Sequence, residues 1–130
     1  MAGLVLLDSN FYIQMARAHE DPFAVLDTAA SSVEFAINGI VWIEVIRGRI
    51  QRKLRDHYEA RFSTMRFLHT TPRTWQRAGH LAWELERSGH TMQTTDAIIA
   101  TCALEYGAAV LTFDRAFRKV PGLVVLDRLP

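Results

Sequence analysis

The feature that most constrains this fold is an alternation: short apolar runs separated by segments of helical spacing with marked starts and stops. Leu4-Val5-Leu6-Leu7 is an uninterrupted apolar run ending at Asp8, the pattern of a strand covered on both faces. Ser9 and Asn10 can then cap a helix through about Ala18. Asp21-Pro22 pairs an N-cap acceptor with a proline at the first helical position and opens a helix to about Ser31. Residues 33–37 alternate as a second strand, stopped by Asn38-Gly39. A helical region from about Val41 to Arg66 follows, broken near Gly48, because an interior glycine costs roughly 1 kcal/mol relative to alanine. Residues 67–69 form a third strand, and Thr71-Pro72 opens a helix to about Arg87. Its apolar stripe is Trp75, Ala78, Ala82 and Leu85, and Gly89 stops it. Thr94 or Thr95 caps a helix from Asp96 to Tyr106, ended by Gly107. Residues 109–112 and, after Pro121-Gly122, 123–126 complete five strands. Strands alternating with helices predict a parallel five-stranded sheet flanked by helices, one α/β domain spanning residues 1–130.

Composition removes several classes. Hydrophobic residues make up 49% of the chain, enough for a solid core. No run approaches the length that spans a bilayer, and the start MAGLVLLDSN lacks a basic leader, so neither membrane nor export is expected. The lone Cys102 excludes an internal disulfide and a thiolate zinc cage, and fits a reducing cytoplasm. Net charge is only +1, yet thirteen of the fifteen bases are arginine, the side chain suited to forked contacts with phosphate or carboxylate. Seven bases lie between positions 47 and 66 (Arg47, Arg49, Arg52, Lys53, Arg55, Arg61, Arg66), opposed only by Asp56 and Glu59. That run reads either as a solvated helix face or as a nucleic-acid-facing surface.

The chemistry-bearing residues are four acids. In an open α/β sheet, ligands bind outside the carboxyl ends of the strands. Asp8 follows the first strand directly, and Asp114 follows the fourth by two residues. Asp96 sits in the first turn of its helix, where the backbone dipole favours an anion. Glu44 interrupts the apolar string Ile40-Val41-Trp42-Ile43-Glu44-Val45-Ile46 and must face a partner or solvent. Singly, each has a structural explanation: a cap, a first-turn acid, a turn opener, a pairing of Glu44 with Arg47. Jointly, three of them map to one sheet edge. Two carboxylates about 5 Å apart repel by roughly 3 kcal/mol at an effective dielectric near 20. A divalent cation reverses that sign, and oxygen-only ligands favour Mg²⁺ or Mn²⁺ over zinc.

Four segments also resemble the signature segments of PIN-domain ribonucleases: Leu6-Leu7-Asp8-Ser9-Asn10, Trp42-Ile43-Glu44-Val45, Thr95-Asp96-Ala97-Ile98-Ile99-Ala100, and Leu111-Thr112-Phe113-Asp114-Arg115-Ala116-Phe117. Gly89, seven residues before Asp96, is in the same style. The resemblance covers nearly the whole chain, at the length of stand-alone VapC-type toxins of toxin–antitoxin pairs, and is loose from Gly48 to Arg73. It implies a PIN-like domain that hydrolyses RNA phosphodiester bonds with Mg²⁺ or Mn²⁺. It implies Asp8, Glu44, Asp96 and Asp114 as catalytic and metal-binding acids, with Asn10 and Thr112 as polar support. It also implies a homodimer and a cognate antitoxin whose tail wraps the helical face and neutralises the acids with a basic residue. Val25 and Val41 are expected in the core, while other apolar side chains of residues 23–26 and 40–46 line a groove for that tail.

Around this reading, Arg47 and Arg115 can hold RNA phosphate or pair with the acids beside them. His19, His57, His69, His80 and His90 form no metal-ligand spacing and read as surface or packing residues. Trp42, Trp75 and Trp83 can stack bases, although tryptophans at helical spacing belong more often to a core. The alternative from another class is a non-catalytic PIN-like interaction module with structural acids. A dehalogenase-type phosphatase fits poorly, wanting an acid where Asn10 stands, as does a receiver domain, wanting a lysine where Arg115 and Arg118 stand.

Overall fold

In the computed structural model, which describes residues 3–48 and 51–130, the apolar runs become β1 (Gly3–Leu7), β2 (Val33–Ile37), β3 (Arg66–Phe67), β4 (Ala109–Leu111) and β5 (Val125–Leu126). All neighbours pair in parallel, in the order β3-β2-β1-β4-β5, so the expected α/β sheet forms. The helices are α1 (Ser9–Arg17), α2 (Pro22–Ala29), α3 (Gly39–Arg47), α4 (Arg52–Phe62), α5 (Pro72–Arg87) and α6 (Thr94–Tyr106). The chain lays β2 and β3 to one side of β1, then returns through α5 and α6 to place β4 on the other. Strand order reverses between β1 and β4, which opens a crevice at their carboxyl ends. None of the described helices is long and apolar enough to cross a membrane.

Burial bears out a β1 covered on both faces and replaces the alternation expected of β2. Val5, Leu6 and Leu7 of β1 and Ala36 and Ile37 of β2 are all buried, because helices cover both sheet faces. In α6 the run Ala97 to Ala103 is buried throughout, and its alanines let the helix lie close to the sheet. Tyr12, Phe23, Tyr58 and Phe62, with ring centroids 5.1–6.5 Å apart, lock α1, α2 and α4 together.

Several local expectations need correction. Asp8, not Ser9 or Asn10, caps α1: its carboxylate accepts from the Ser9 N–H and the helix starts one residue earlier. Helix α6 begins at Thr94, after an extended Gln93 that makes no side-chain cap. The long helical region does break at Gly48, but α4 stops at Phe62 instead of reaching Arg66. There Ser63 Oγ and Thr64 Oγ1 donate to the Glu59 and Arg61 carbonyls and compete with further helix. Arg66 is thereby released to start β3. Trp75 is not core but 46% exposed, and Val25 is 36% exposed, whereas Val41 is buried as expected. Helix α5 packs on α6 with Thr74, Ala78 and Leu85 buried, so the expected stripe holds at Ala78 and Leu85, and Thr74 takes the buried place expected of Trp75. Thr74 can be buried there because its hydroxyl donates to Glu105 Oε1 at 2.6 Å.

Candidate metal and phosphodiester site

The register Leu7↔Leu111 sets Asp8 beside Thr112, and the Asp8 N–H donates to the Leu111 carbonyl at 2.9 Å. Asp8 is therefore fixed by backbone as well as side chain. Its Oδ1 accepts from the Ser9 N–H at 2.8 Å and its Oδ2 from Thr112 Oγ1 at 2.8 Å. The buried Thr112 hydroxyl also accepts from Asn10 Nδ2 at 3.2 Å and from the Asp114 N–H at 3.0 Å. One hydroxyl with its donor and both acceptor positions engaged thus orients Asp8, Asn10 and the start of the Asp114 loop. Asp114 is exposed and uses Oδ1 to cap the 3₁₀ turn Arg115–Lys119 through the Ala116 N–H at 2.9 Å.

Glu44 reaches the same crevice from α3, which packs against α1, and Asp96 reaches it from the first turn of α6. Among the described residues Asp96 makes no hydrogen bond or ion pair. Electrostatics connects all four acids. Burial raises the Asp8 carboxyl above its ordinary range, opposed by its Thr112 and Ser9 hydrogen bonds, and Asp114 raises it further. Burial also raises Glu44, the Ser9 hydroxyl lowers it, Asp8 raises it, and Arg47 partly offsets them. Asp96 is pushed up to about 6, first by burial and then by the charges of Asp8, Asp114 and Glu44. Carboxyl groups raised by burial and by neighbouring carboxylates mark a cluster short of positive charge.

The acids are neighbours without forming a closed cage. Among the described residues, no three His, Cys, Asp or Glu side chains stand close enough to grip a metal ion as they are. Two oxygens at the crevice nevertheless lack any partner among the described residues: Asn10 Oδ1 and Glu44 Oε1, both inaccessible to solvent. Unsatisfied hard oxygen acceptors beside mutually repelling carboxylates match the donor set of a hard divalent cation.

The second-tier expectations divide. Asn10 and Thr112 join the network around Asp8. Neither Arg47 nor Arg115 makes an ion pair among the described residues, so the pairing of Glu44 with Arg47 amounts to a field effect only. Much of the basic run is engaged elsewhere: Arg55 with Asp56 and Glu59, Arg61 with Asp27, Arg66 with Glu34. Arg49 lies outside the described residues. Ser9 had been read only as a cap, yet its hydroxyl acts on both Asp8 and Glu44. Its one sequence signal was its place directly after Asp8.

Comparison with known proteins agrees with this fold. No curated protein matches the chain. Among solved structures, a chain of VapBC2 from Rickettsia felis bound to a DNA fragment from their promoter superposes with a TM-score of 0.77. It is 23% identical, over 94% of this chain and 96% of that one. A chain of DNA-bound VapBC from Salmonella typhimurium gives 0.74 at 23% identity, over 96% and 97%. VapC20 from Mycobacterium tuberculosis, described as a Sarcin-Ricin loop cleaving toxin, gives 0.67 at 18% identity, over 92% and 96%. At these identities the likeness is one of fold. The PIN domain family model, however, matches residues 5–123, nearly the entire length, and the chain belongs to the PIN domain family.

Proposed function

We propose that this protein is a metal-dependent endoribonuclease, the toxin of a toxin–antitoxin pair, with Asp8, Glu44, Asp96 and Asp114 as its catalytic and metal-holding acids. The observation that carries this reading is the elevation of Asp8, Glu44 and Asp96 at one crevice, by burial first and then by neighbouring carboxylates, with Asp96 raised to about 6. A structural acid gains from its surroundings; this one is destabilised by them and gains only when a cation arrives. The unpartnered oxygens of Asn10 and Glu44 support the same ligand.

Asp8, Glu44, Asp96 and Asp114 would hold Mg²⁺ or Mn²⁺. Bound there, the ion would neutralise charge developing on the phosphate and lower the pKa of water. The protein's own contribution is placement. Thr112 and the Ser9 N–H hold Asp8 in one orientation, so that its remaining lone pairs face the crevice. A carboxylate of the cluster takes the proton of the attacking water, since no histidine belongs to the network. Arg47 and Arg115, unpaired among the described residues, bind phosphates flanking the cleaved bond through charge-assisted hydrogen bonds.

Partners follow from the neighbours' assemblies and from exposed apolar surface. Ile43 on α3 and Phe67 on β3, 60% and 37% exposed, support contact with a second copy, which sedimentation at twice the monomer mass would report. Between α1, the end of α3 and α4 runs a groove of about 1030 Å³ lined by apolar Ile13, Ala16, Val45 and Leu54 and by charged Arg17, Glu20 and Asp21; of residues 23–26 and 40–46, where a groove was expected, it takes in only Val45. It suits an amphipathic antitoxin segment.

The test is cleavage of RNA by purified protein with and without Mg²⁺ or Mn²⁺, beside Asp8→Asn. Cleavage requiring metal and lost in a folded Asp8→Asn protein is expected. Activity indifferent to chelator, or intact in that variant, would overturn the assignment.

A further inference from the structure

The loop that leaves β4 carries, between two residues of the crevice, an aromatic side chain open to solvent. Phe113 is 45% exposed and lies outside the hydrophobic core. The chain itself ties it to the site, since its Cα is about 3.8 Å from those of Thr112 and Asp114. Both neighbours are fixed. The Thr112 N–H donates to the Leu126 carbonyl at 2.9 Å, and the Asp114 N–H donates to Thr112 Oγ1 at 3.0 Å. Asp114 Oδ1 then caps the 3₁₀ turn Arg115–Lys119, which the buried Phe117 anchors in the core. Residue 113 is thus held at both ends. The other exposed aromatics, Phe67 on β3 and Trp75 and Trp83 on α5, have no such tie to the acids.

Strand geometry gives the side on which the ring stands. Thr112 turns toward α1, where Asn10 Nδ2 reaches its hydroxyl, so Phe113 projects to the opposite face of β4. Right-handed crossovers put α1 and α2, between β1 and β2, on one face of the sheet. They put α5 and α6, which carry the chain back the other way from β3 to β4, on the other face. Phe113 therefore stands on the side from which Asp96 enters, on the first turn of α6. The crevice spans both faces at the sheet's edge, because Asp96 experiences the charges of Asp8 and Asp114 together. Beyond the ring, Arg115 and Lys119 are exposed and make no ion pair among the described residues, whereas Arg118 pairs with Asp127 at 3.6 Å. An aromatic face is followed by two uncommitted cations on one anchored turn.

We infer that Phe113 is a stacking platform for the base next to the cleaved phosphodiester bond, with Arg115 and Lys119 taking the phosphates that lead away from it. The inference rests on the ribonuclease reading and adds a specificity-determining residue to it. A base can lie on the ring only when it is unpaired, so the strand at the crevice is single-stranded or looped. Every base has a π-face, so the platform selects strandedness rather than sequence. The ring is one residue from Asp114, as the stacked base is one nucleotide from the reacting phosphate.

The experiment removes the ring and the base in turn. Wild type, Phe113→Leu, Phe113→Ala and Phe113→Tyr are given a fluorescent single-stranded RNA and copies in which one nucleotide at a time is abasic. Cleavage is measured with metal, and binding in an Asp8→Asn background, expected to leave the strand whole. Phe113→Leu keeps apolar bulk without a flat face, and Phe113→Tyr keeps the face. Phe113→Leu and Phe113→Ala are expected to raise KM and Kd together about tenfold with kcat little changed, and Phe113→Tyr to recover most of the loss. In wild type, one abasic position beside the cleaved bond should cost a similar factor. In Phe113→Leu the same position should cost nothing further, because both changes remove one interaction. Unchanged KM and Kd in a folded Phe113→Leu protein, or an abasic penalty equal in wild type and variant at every position, would overturn the platform and leave the nuclease standing. Failure of every form to cut RNA, with binding still showing the shared loss, would retain the platform and remove the nuclease. A loss of affinity as large for the same RNA annealed to its complement would assign the ring to a contact with the backbone and overturn the inference.

Discussion

Replacing Asp96 with asparagine should make the metal-free protein more stable, although it removes a residue from the site. The Asp96 carboxyl is raised from 3.8 to about 6. A shift of about two units corresponds to roughly 3 kcal/mol, and solvent screening of this half-exposed group reduces it to about 1.5 kcal/mol. The folded-state pKa lies above the unfolded one, so the folded chain binds the proton more tightly. Stability therefore falls as pH rises from about 4 to about 6, and the penalty is constant above that. Asparagine carries no charge and escapes it. In chelator at pH 7.5, Asp96→Asn should gain about 1.5 kcal/mol, a rise of about 5 °C in Tm for a chain of this size. Below about pH 4 the difference should vanish. At a hundredfold excess over its Kd, Mg²⁺ should add about 2.7 kcal/mol to wild type and less to the variant, reversing their order. Thermal melts at the two pH values, with and without metal, test all three statements. A variant that melts lower than wild type at both pH values without metal would show Asp96 to be a structural partner and refute the reasoning.

Two other perturbations probe different links. Thr112→Val keeps shape but leaves Asp8 Oδ2, Asn10 Nδ2 and the Asp114 N–H without their shared partner, so urea unfolding should show a loss of about 1–3 kcal/mol, with cleavage falling further than stability explains. An antitoxin tail that brings a basic residue to the acids should compete with metal: titrating Mg²⁺ into the inhibited complex should restore RNA cleavage, and inhibition wholly indifferent to Mg²⁺ would reject that mode of silencing.

The sequence disclosed different parts of this molecule to different degrees, for identifiable reasons. Asp8 and Asp114 were legible because an apolar run has a definite end and parallel strands align their ends. Asp96 was legible from its helix turn, although the start of α6 lay two residues earlier than expected. Glu44 stood out only by interrupting an apolar string. On α5 only Trp75 was misplaced, because Thr74, a polar residue, is buried against a partner 31 positions away. With Thr74 inside, Trp75 turns outward. The same blindness to distance hid the pairing of Arg61 with Asp27 and Arg66 with Glu34. Side chains whose partners are remote leave no local pattern.

The hydrogen bond from Thr112 to Asp8 joins residues 104 positions apart. Closing a loop of that length costs about 4 kcal/mol of chain entropy before any contact repays it. Local elements such as the α5–α6 hairpin can assemble without this closure; the acidic crevice cannot. During synthesis Asp8 therefore emerges long before the residue that orients it, and the growing chain carries its acids disarmed until β4 docks beside β1. The crevice therefore depends on a strand contact that the pairing of β1 with β2 does not need, and it can form only after residue 112 has been made.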